Sequence, residues 1–209
     1  MTRDVLAMVL AYLTGSVSFA YLVAKARAGI DIRQVGEGNA GARNVFHAVG
    51  PAWGVLVGIL DIGKGWLAFQ MARVLGASEA AVLLSGFAVI LGHNFPFLRW
   101  NQGGKGVATM LGVLLGMLPL PTVAAVLIAA AAYLVLRDAN RCLVVVCVAL
   151  VLAPLAFGQP LWTCVYIIGL MLTMVLKKVL DRGHEQRVWA KSGWTDGAVP
   201  GFHGQGGKR

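Results

Sequence analysis

Residues 53–75 read WGVLVGILDIGKGWLAFQMARVL, and this stretch decides the fold. Its 23 residues carry charge only at Asp61, Lys64 and Arg73. A helix rises about 1.5 Å per residue, so the run covers the ~30 Å hydrocarbon core of a bilayer. Six more apolar runs accompany it, at 5–24, 79–98, 106–118, 120–136, 141–157 and 160–177. The expectation is an all-α, polytopic integral membrane protein with about seven transmembrane helices. The run at 106–118 is too short to cross alone and is expected to borrow residues from the Gly-rich loop before it. Pro119 and Pro121 mark a tight turn after it.

Composition agrees. The chain is 58% hydrophobic and 13% charged, where a soluble domain carries about a quarter charged residues. Its 27 glycines suit helices that approach closely in lipid. A net charge of +9 would point to nucleic acid in a soluble domain. Here it reads as positive charge gathered in cytoplasmic loops, and no nucleic-acid partner is expected. With the N-terminus outside, fifteen of the 18 Lys and Arg residues fall on inward segments. Only Arg3 and Arg73 fall outside, and Lys64 lies within a span. The first run begins beside Arg3 and Asp4 and continues past Gly15-Ser16, so it reads as a spanning helix and not as a cleaved leader. Residues 1–180 form one transmembrane domain in this reading, and 181–209 a polar, solvated cytoplasmic tail. Cys142, Cys147 and Cys164 stand singly in apolar runs with no C-x-x-C spacing. They read as small buried hydrophobes, with no metal site.

Four polar clusters interrupt the apolar pattern. Gly15-Ser16-Val17-Ser18 sits in the first run, where small residues most simply serve packing. The loop 31–50 contains Gly36-Glu37-Gly38-Asn39-Ala40-Gly41-Ala42-Arg43-Asn44. It includes G-x-G-x-x-G but lies between membrane helices, so a dinucleotide fold is rejected. Its backbone N–H groups with Asn39, Gly41, Arg43 and Asn44 still suit an anion. Asp61 and Lys64 are three apart and share a helix face, as a structural ion pair or a functional one. The fourth cluster is Gly92-His93-Asn94-Phe95-Pro96 followed by Gly103-Gly104-Lys105-Gly106. It lacks the spacing of a nucleoside-triphosphate loop, but Lys105 among glycines suits a phosphate. A lone helix-end His such as His93 is more often structural than catalytic. The predicted orientation puts both loops on the cytoplasmic side. The expected substrates are a soluble phosphate from the cytosol and an apolar chain from the bilayer. No Ser–His–Asp or Cys–His grouping indicates a covalent acyl-enzyme.

Five segments together resemble the bacterial acyl-phosphate:glycerol-3-phosphate acyltransferase family. They are Gly15-Ser16-x-x-Phe19-Ala20-Tyr21, Gly38-Asn39-x-Gly41-Ala42-x-Asn44-Val45, Asp61-x-x-Lys64-Gly65, Gly92-His93-x-Phe95-Pro96 and Gly103-Gly104-Lys105-Gly106-Val107-Ala108-Thr109. The resemblance covers about residues 10–115. It implies a seven-helix inner-membrane enzyme with an external N-terminus and a cytoplasmic active site. The reaction implied moves a fatty acyl group from acyl phosphate to the 1-hydroxyl of glycerol 3-phosphate, beside membrane lipids and with no cofactor. The product implied is lysophosphatidic acid. Lys105 and His93 are carried over as catalytic positions. Ser16, Asn39, Gly41, Arg43, Asn44, Lys64, Gly103 and Gly104 are carried over or assigned as substrate-binding. Three residues depart from the family pattern: Glu37 stands for Ser, Arg43 for Thr and His47 for Arg. A later Ser-Leu-Gly-Ser-like motif is not recognisable near Asn140, nor a His-x-x-Asn-Ile-x-Arg-Leu motif in the tail. Two other readings stand beside this one: a non-catalytic relative that binds lipid or phosphate, and a small membrane transporter.

Overall fold

The computed structural model describes residues 1–98 and 102–192. Described residues form nine α-helices and one short 3₁₀ turn. They are α1 (Thr2–Ser16), α2 (Phe19–Ala28), the turn Ile32–Gln34, α3 (Ala42–Ala48), α4 (Pro51–Val74) and α5 (Glu79–Asn94). They continue with α6 (Val107–Met117), α7 (Pro119–Leu136), α8 (Ala139–Ala156) and α9 (Leu161–Ser192). Each of the seven apolar runs is helical. The chain is a polytopic integral membrane protein. Four helical segments are long and apolar enough to cross a bilayer: Thr2–Ala28, Pro51–Val74, Pro119–Leu136 and Leu161–Lys191. Many large apolar side chains stay exposed, among them Ile59, Leu67, Leu127 and Leu172. In water that surface would drive association, and in lipid it is solvated.

Glycines set the two tightest helix crossings. A Cβ on Gly15 would strike the Val89 carbonyl, and one on Gly92 the Tyr12 carbonyl, so α1 lies against α5 backbone to backbone. The same holds for Gly65 against Thr109 and Gly112 against Ile62, where α4 crosses α6. α7 packs mainly on α8. Cys142 and Cys164 are buried as expected, Cys147 only partly, and all three are free.

Three features differ from the sequence reading. The first run is two helices, not one: α1 stops at Ser16, and Val17 is extended at φ −69°, ψ 111°. The run at 106–118 stays short, because Gly106 sits at φ 86° and the residues before it are not helical. The glycine loop is buried within the bundle instead, which is where irregular backbone is tolerated at membrane depth. The expected boundary at residue 180 falls inside α9, which runs unbroken to Ser192. Asp181, Glu185 and Val188 are buried on one face of it, so 181–192 is docked helix and not solvated tail. The remainder of the expected tail, 193–209, lies outside the described residues.

Candidate active site

The break between α1 and α2 frees a backbone carbonyl, and Lys64 takes it. The Lys64 Nζ donates to Val17 O at 2.9 Å. It also lies 2.7 Å from Asp61 Oδ1 and 2.8 Å from His93 Nδ1. An ammonium has three protons, so these three acceptors use all of them. His93 Nδ1 accepts from Lys64 in the tautomer that carries the ring proton on Nε2. Lys64 is 4% exposed. It is a buried cross-link between α4, α5 and the helix break.

The loop after α2 is built around Asn44, which is 0% exposed. Its amide nitrogen donates to Ile32 O, Val35 O and Asn39 O at 2.8–3.0 Å. Its Oδ1 accepts from Glu37 N at 3.0 Å. Every donor is spent on the loop's own backbone, so Asn44 shapes the loop and does not line the cavity below. α9 closes the loop from outside. His184 Nε2 lies 2.9 Å from Arg33 O, and Trp189 Nε1 donates to Glu37 O at 3.2 Å. Val188 fills the space beside Gly38, whose φ is +74°.

The second glycine loop locks onto the first. Ala40 N donates to Gly103 O at 3.4 Å, and Gly104 N to His93 O at 3.2 Å. A Cβ on Gly103 would strike the His93 carbonyl. One on Gly104 would strike His93 Nε2 and come within 2.7 Å of Ala40 O. These glycines are needed for approach, and they place Lys105 at the rim. Its Nζ pairs with Glu185 Oε1 of α9 at 2.9 Å, with 28% of the Lys105 side chain exposed.

These elements enclose a cavity of about 390 Å³. Of the predicted site residues, Asn39, Gly41, Arg43, His93 and Lys105 line it. Ser16 does not. Its Oγ donates to Tyr12 O at 2.9 Å and accepts from Phe97 N at 3.3 Å, beside a different cavity. Asn44, Lys64, Gly103 and Gly104 stand behind the wall as supports. The sequence reading left out Asp61, Asn140, Lys178, Glu185 and Trp189 as lining residues. A signal for the last two existed, since Asp181, Glu185 and Val188 recur at helical spacing in the stretch expected to be tail. Three carboxylates (Glu37, Asp61 and Glu185) and three cations (Arg43, Lys105 and Lys178) line the wall. Arg43 Nε lies 2.9 Å from Glu37 Oε1, and Arg43 also donates to Asn140 Oδ1 at 2.9 Å. Burial holds the nearby His47 below its ordinary imidazole range, with Glu37 opposing the shift and Arg43 adding to it. Val107, Ala108, Leu111 and Leu143 supply an apolar side to the same cavity.

The model of the family described as glycerol-3-phosphate acyltransferase matches residues 5–189. The glycerol-3-phosphate acyltransferase of Thermus thermophilus is 38% identical over 196 residues, which is 90% of this chain and 96% of that protein. Glycerol-3-phosphate acyltransferase 1 of Deinococcus radiodurans is 49% identical over 110 residues, 52% of this chain and 54% of that one. Glycerol-3-phosphate acyltransferase 4 of Dehalococcoides mccartyi is 44% identical over 115 residues, 54% of this chain and 49% of that one. The chain thus spans about half the length of these last two relatives. Among solved structures, the glycerol 3-phosphate form of PlsY (YgiH), an integral membrane glycerol 3-phosphate acyltransferase, superposes with a TM-score of 0.76. It is 30% identical, with 90% of this chain and 92% of that one covered. The lysophosphatidic acid form of PlsY gives a TM-score of 0.74 at 29% identity. A family match over residues 5–189 and a shared membrane fold lead to one conclusion: this chain belongs to the glycerol-3-phosphate acyltransferase family.

Proposed function

We propose that the chain transfers a fatty acyl group from acyl phosphate to the 1-hydroxyl of glycerol 3-phosphate. The product is lysophosphatidic acid, and the reaction opens phospholipid synthesis. The observation that carries this reading is the meeting of Lys105, Arg43 and Lys178 with Asn39 and Gly41 in one cavity that also has an apolar side. Phosphoryl groups fit the cations and the loop donors. The acyl chain fits Val107, Leu111 and Leu143, of which Leu143 opens outward at 38% exposure.

Lys105 holds the leaving phosphate and stabilises the charge that develops on it and on the carbonyl oxygen. It does so by exchanging its partner, Glu185, for the substrate. His93 presents Nε2–H toward the Gly104 backbone and the cavity, as a donor. Asn39, Gly41 and Arg43 hold the acceptor. Among the described residues no Ser, Thr or Cys lines the cavity, which favours direct transfer from donor to acceptor. Holding both in line supplies much of the rate. The charge distribution supports an external N-terminus and a cytoplasmic active site, and the resemblance to the bacterial acyltransferase family supports residence in the inner membrane. Purified protein in lipid nanodiscs should release one inorganic phosphate per lysophosphatidic acid formed, both quantified by coupled assay and mass spectrometry. Phosphate release with no acylated product would contradict the reading.

A further inference from the structure

The charges at the cavity are matched one by one, with a single exception among the described residues. Lys105 pairs with Glu185 at 2.9 Å, and Arg43 Nε lies 2.9 Å from Glu37 Oε1. Asp61 is held by Lys64 from behind the wall at 2.7 Å. Each lining carboxylate thus has its own cation. Lys178 is left over, with no ion pair or hydrogen bond to a described residue. It is the uncompensated charge of the described lining.

Its place differs from that of Lys105. Lys178, Glu185 and Trp189 stand at i, i+7 and i+11, one stripe of α9 that faces the cavity. Lys178 lies about 10 Å from Glu185 along the helix axis, away from the C-terminal end. It falls inside Leu161–Lys191, a segment long and apolar enough to cross a bilayer. Val175 and Val179 flank it on α9 and are exposed, as is Leu143 of α8 at the same cavity. An ionisable side chain within a span is costly, and where it faces a cavity it marks a substrate path. The surroundings select which substrate. A lone cation against lipid-facing side chains suits an amphiphile whose anionic head is bonded directly to its chain.

Resting on the acyl-transfer reading above, we infer that Lys178 is the donor-specificity residue: it takes the phosphate of an acyl phosphate arriving from the bilayer beside Leu143. No carboxylate has to be displaced for this first contact. Lys105 engages the same phosphate once it parts from Glu185. Glycerol 3-phosphate has no chain to lie on Leu143 and draws nothing from Lys178. The two substrates are told apart by where their phosphates are held, before any bond changes.

The test is K178M, K178Q and K178R in nanodiscs, with kcat and the KM for each substrate measured separately. Calorimetric Kd for dodecylphosphonate, an unreactive donor analogue, is read alongside. Loss of one charge-assisted contact predicts a KM for acyl phosphate about 10- to 100-fold higher in K178M and K178Q, with dodecylphosphonate weakened alike. The KM for glycerol 3-phosphate, and kcat at saturating donor, should stay within about threefold. K178R should restore the donor KM, and unfolding midpoints should match the unmodified chain in all three variants. A lysine whose ammonium merely reaches for the membrane surface would move none of these constants. The inference is overturned by a donor KM and phosphonate Kd within about threefold of the unmodified chain in K178M and K178Q. It is equally overturned if the KM for glycerol 3-phosphate rises as far as that for acyl phosphate. An unmodified chain that binds dodecylphosphonate but transfers no acyl group would instead count against the proposed function.

Discussion

Two cavities of similar volume lie on either side of Lys64, about 410 Å³ and about 390 Å³. The first is lined by Leu13, Tyr21, Leu22, Phe97 and Leu98, with Ser16, Ser18, Arg33 and Gln102 among its polar members. Its one cation among the described residues is committed: Arg33 pairs with Asp31, donates to Gln102 Oε1 at 2.9 Å and stacks over Tyr21 at 4.6 Å. The second cavity has three cations and three carboxylates among the described residues, and its rim pair, Lys105–Glu185, is partly exposed at the lysine. A charge locked in a buried network shapes the protein, whereas a charge paired at a rim can change partner. Lys64 joins both cavities, since Val17 lines one and Asp61 and His93 line the other.

The largest expected effect comes from breaking that partition. Lys64→Met leaves Asp61 buried without its partner, at a cost of about 3–5 kcal/mol. Thermal unfolding in detergent should show a large drop in midpoint, and Asp61→Asn in the same chain should recover part of it. A midpoint unchanged from the parent would mean Lys64 is not the cross-link. Next is Lys105→Ala at the rim, where loss of one charge-stabilising donor predicts about a 10²–10³-fold fall in kcat/KM. The fold should survive, as read by an unshifted unfolding midpoint, and retained activity would remove Lys105 from the mechanism.

Smaller effects sharpen the difference between committed and exchangeable charge. A partly exposed ion pair is worth about 0.2–1 kcal/mol, so Glu185→Gln should lower KM for acyl phosphate by about two- to fivefold. A raised KM would instead make Glu185 a substrate contact. The smallest effect concerns His47. Its folded-state proton affinity is lowered by burial, so the unfolded chain binds that proton more readily. Stability linked to His47 is complete above the ordinary imidazole value of about 6.5 and drains as pH falls through the lowered folded value. His47→Gln should narrow the gap between unfolding midpoints at pH 7 and pH 5. An unchanged gap would place the sensitivity elsewhere.

Much of the bundle was legible because each apolar run carries its own lipid-facing surface. Lys105, Asn39 and Gly41 were legible because glycines and cations in loops have one plain physical use. The break at Val17 was not, since a carbonyl leaves a helix only when a tertiary donor awaits it, and Lys64 lies 47 residues away. The docked end of α9 was hidden by its polarity. Lys177 and Asp181 look solvated in sequence but are buried against each other. Asn44 shows a third limit: its position in the loop pattern was plain, but its partners are backbone groups that only the folded loop brings together. Ser16 likewise sat in a matching motif, yet it secures Tyr12 and Phe97 at the other cavity.

The central claim is that the charged cavity, and not its apolar neighbour, grips the phosphoryl groups. A crystal structure of the chain with glycerol 3-phosphate tests it most directly. The account predicts the phosphate in the cavity of Arg43 and Lys105, with the Lys105–Glu185 pair opened. Phosphate beside Arg33 and Ser16, with that pair intact, would contradict it.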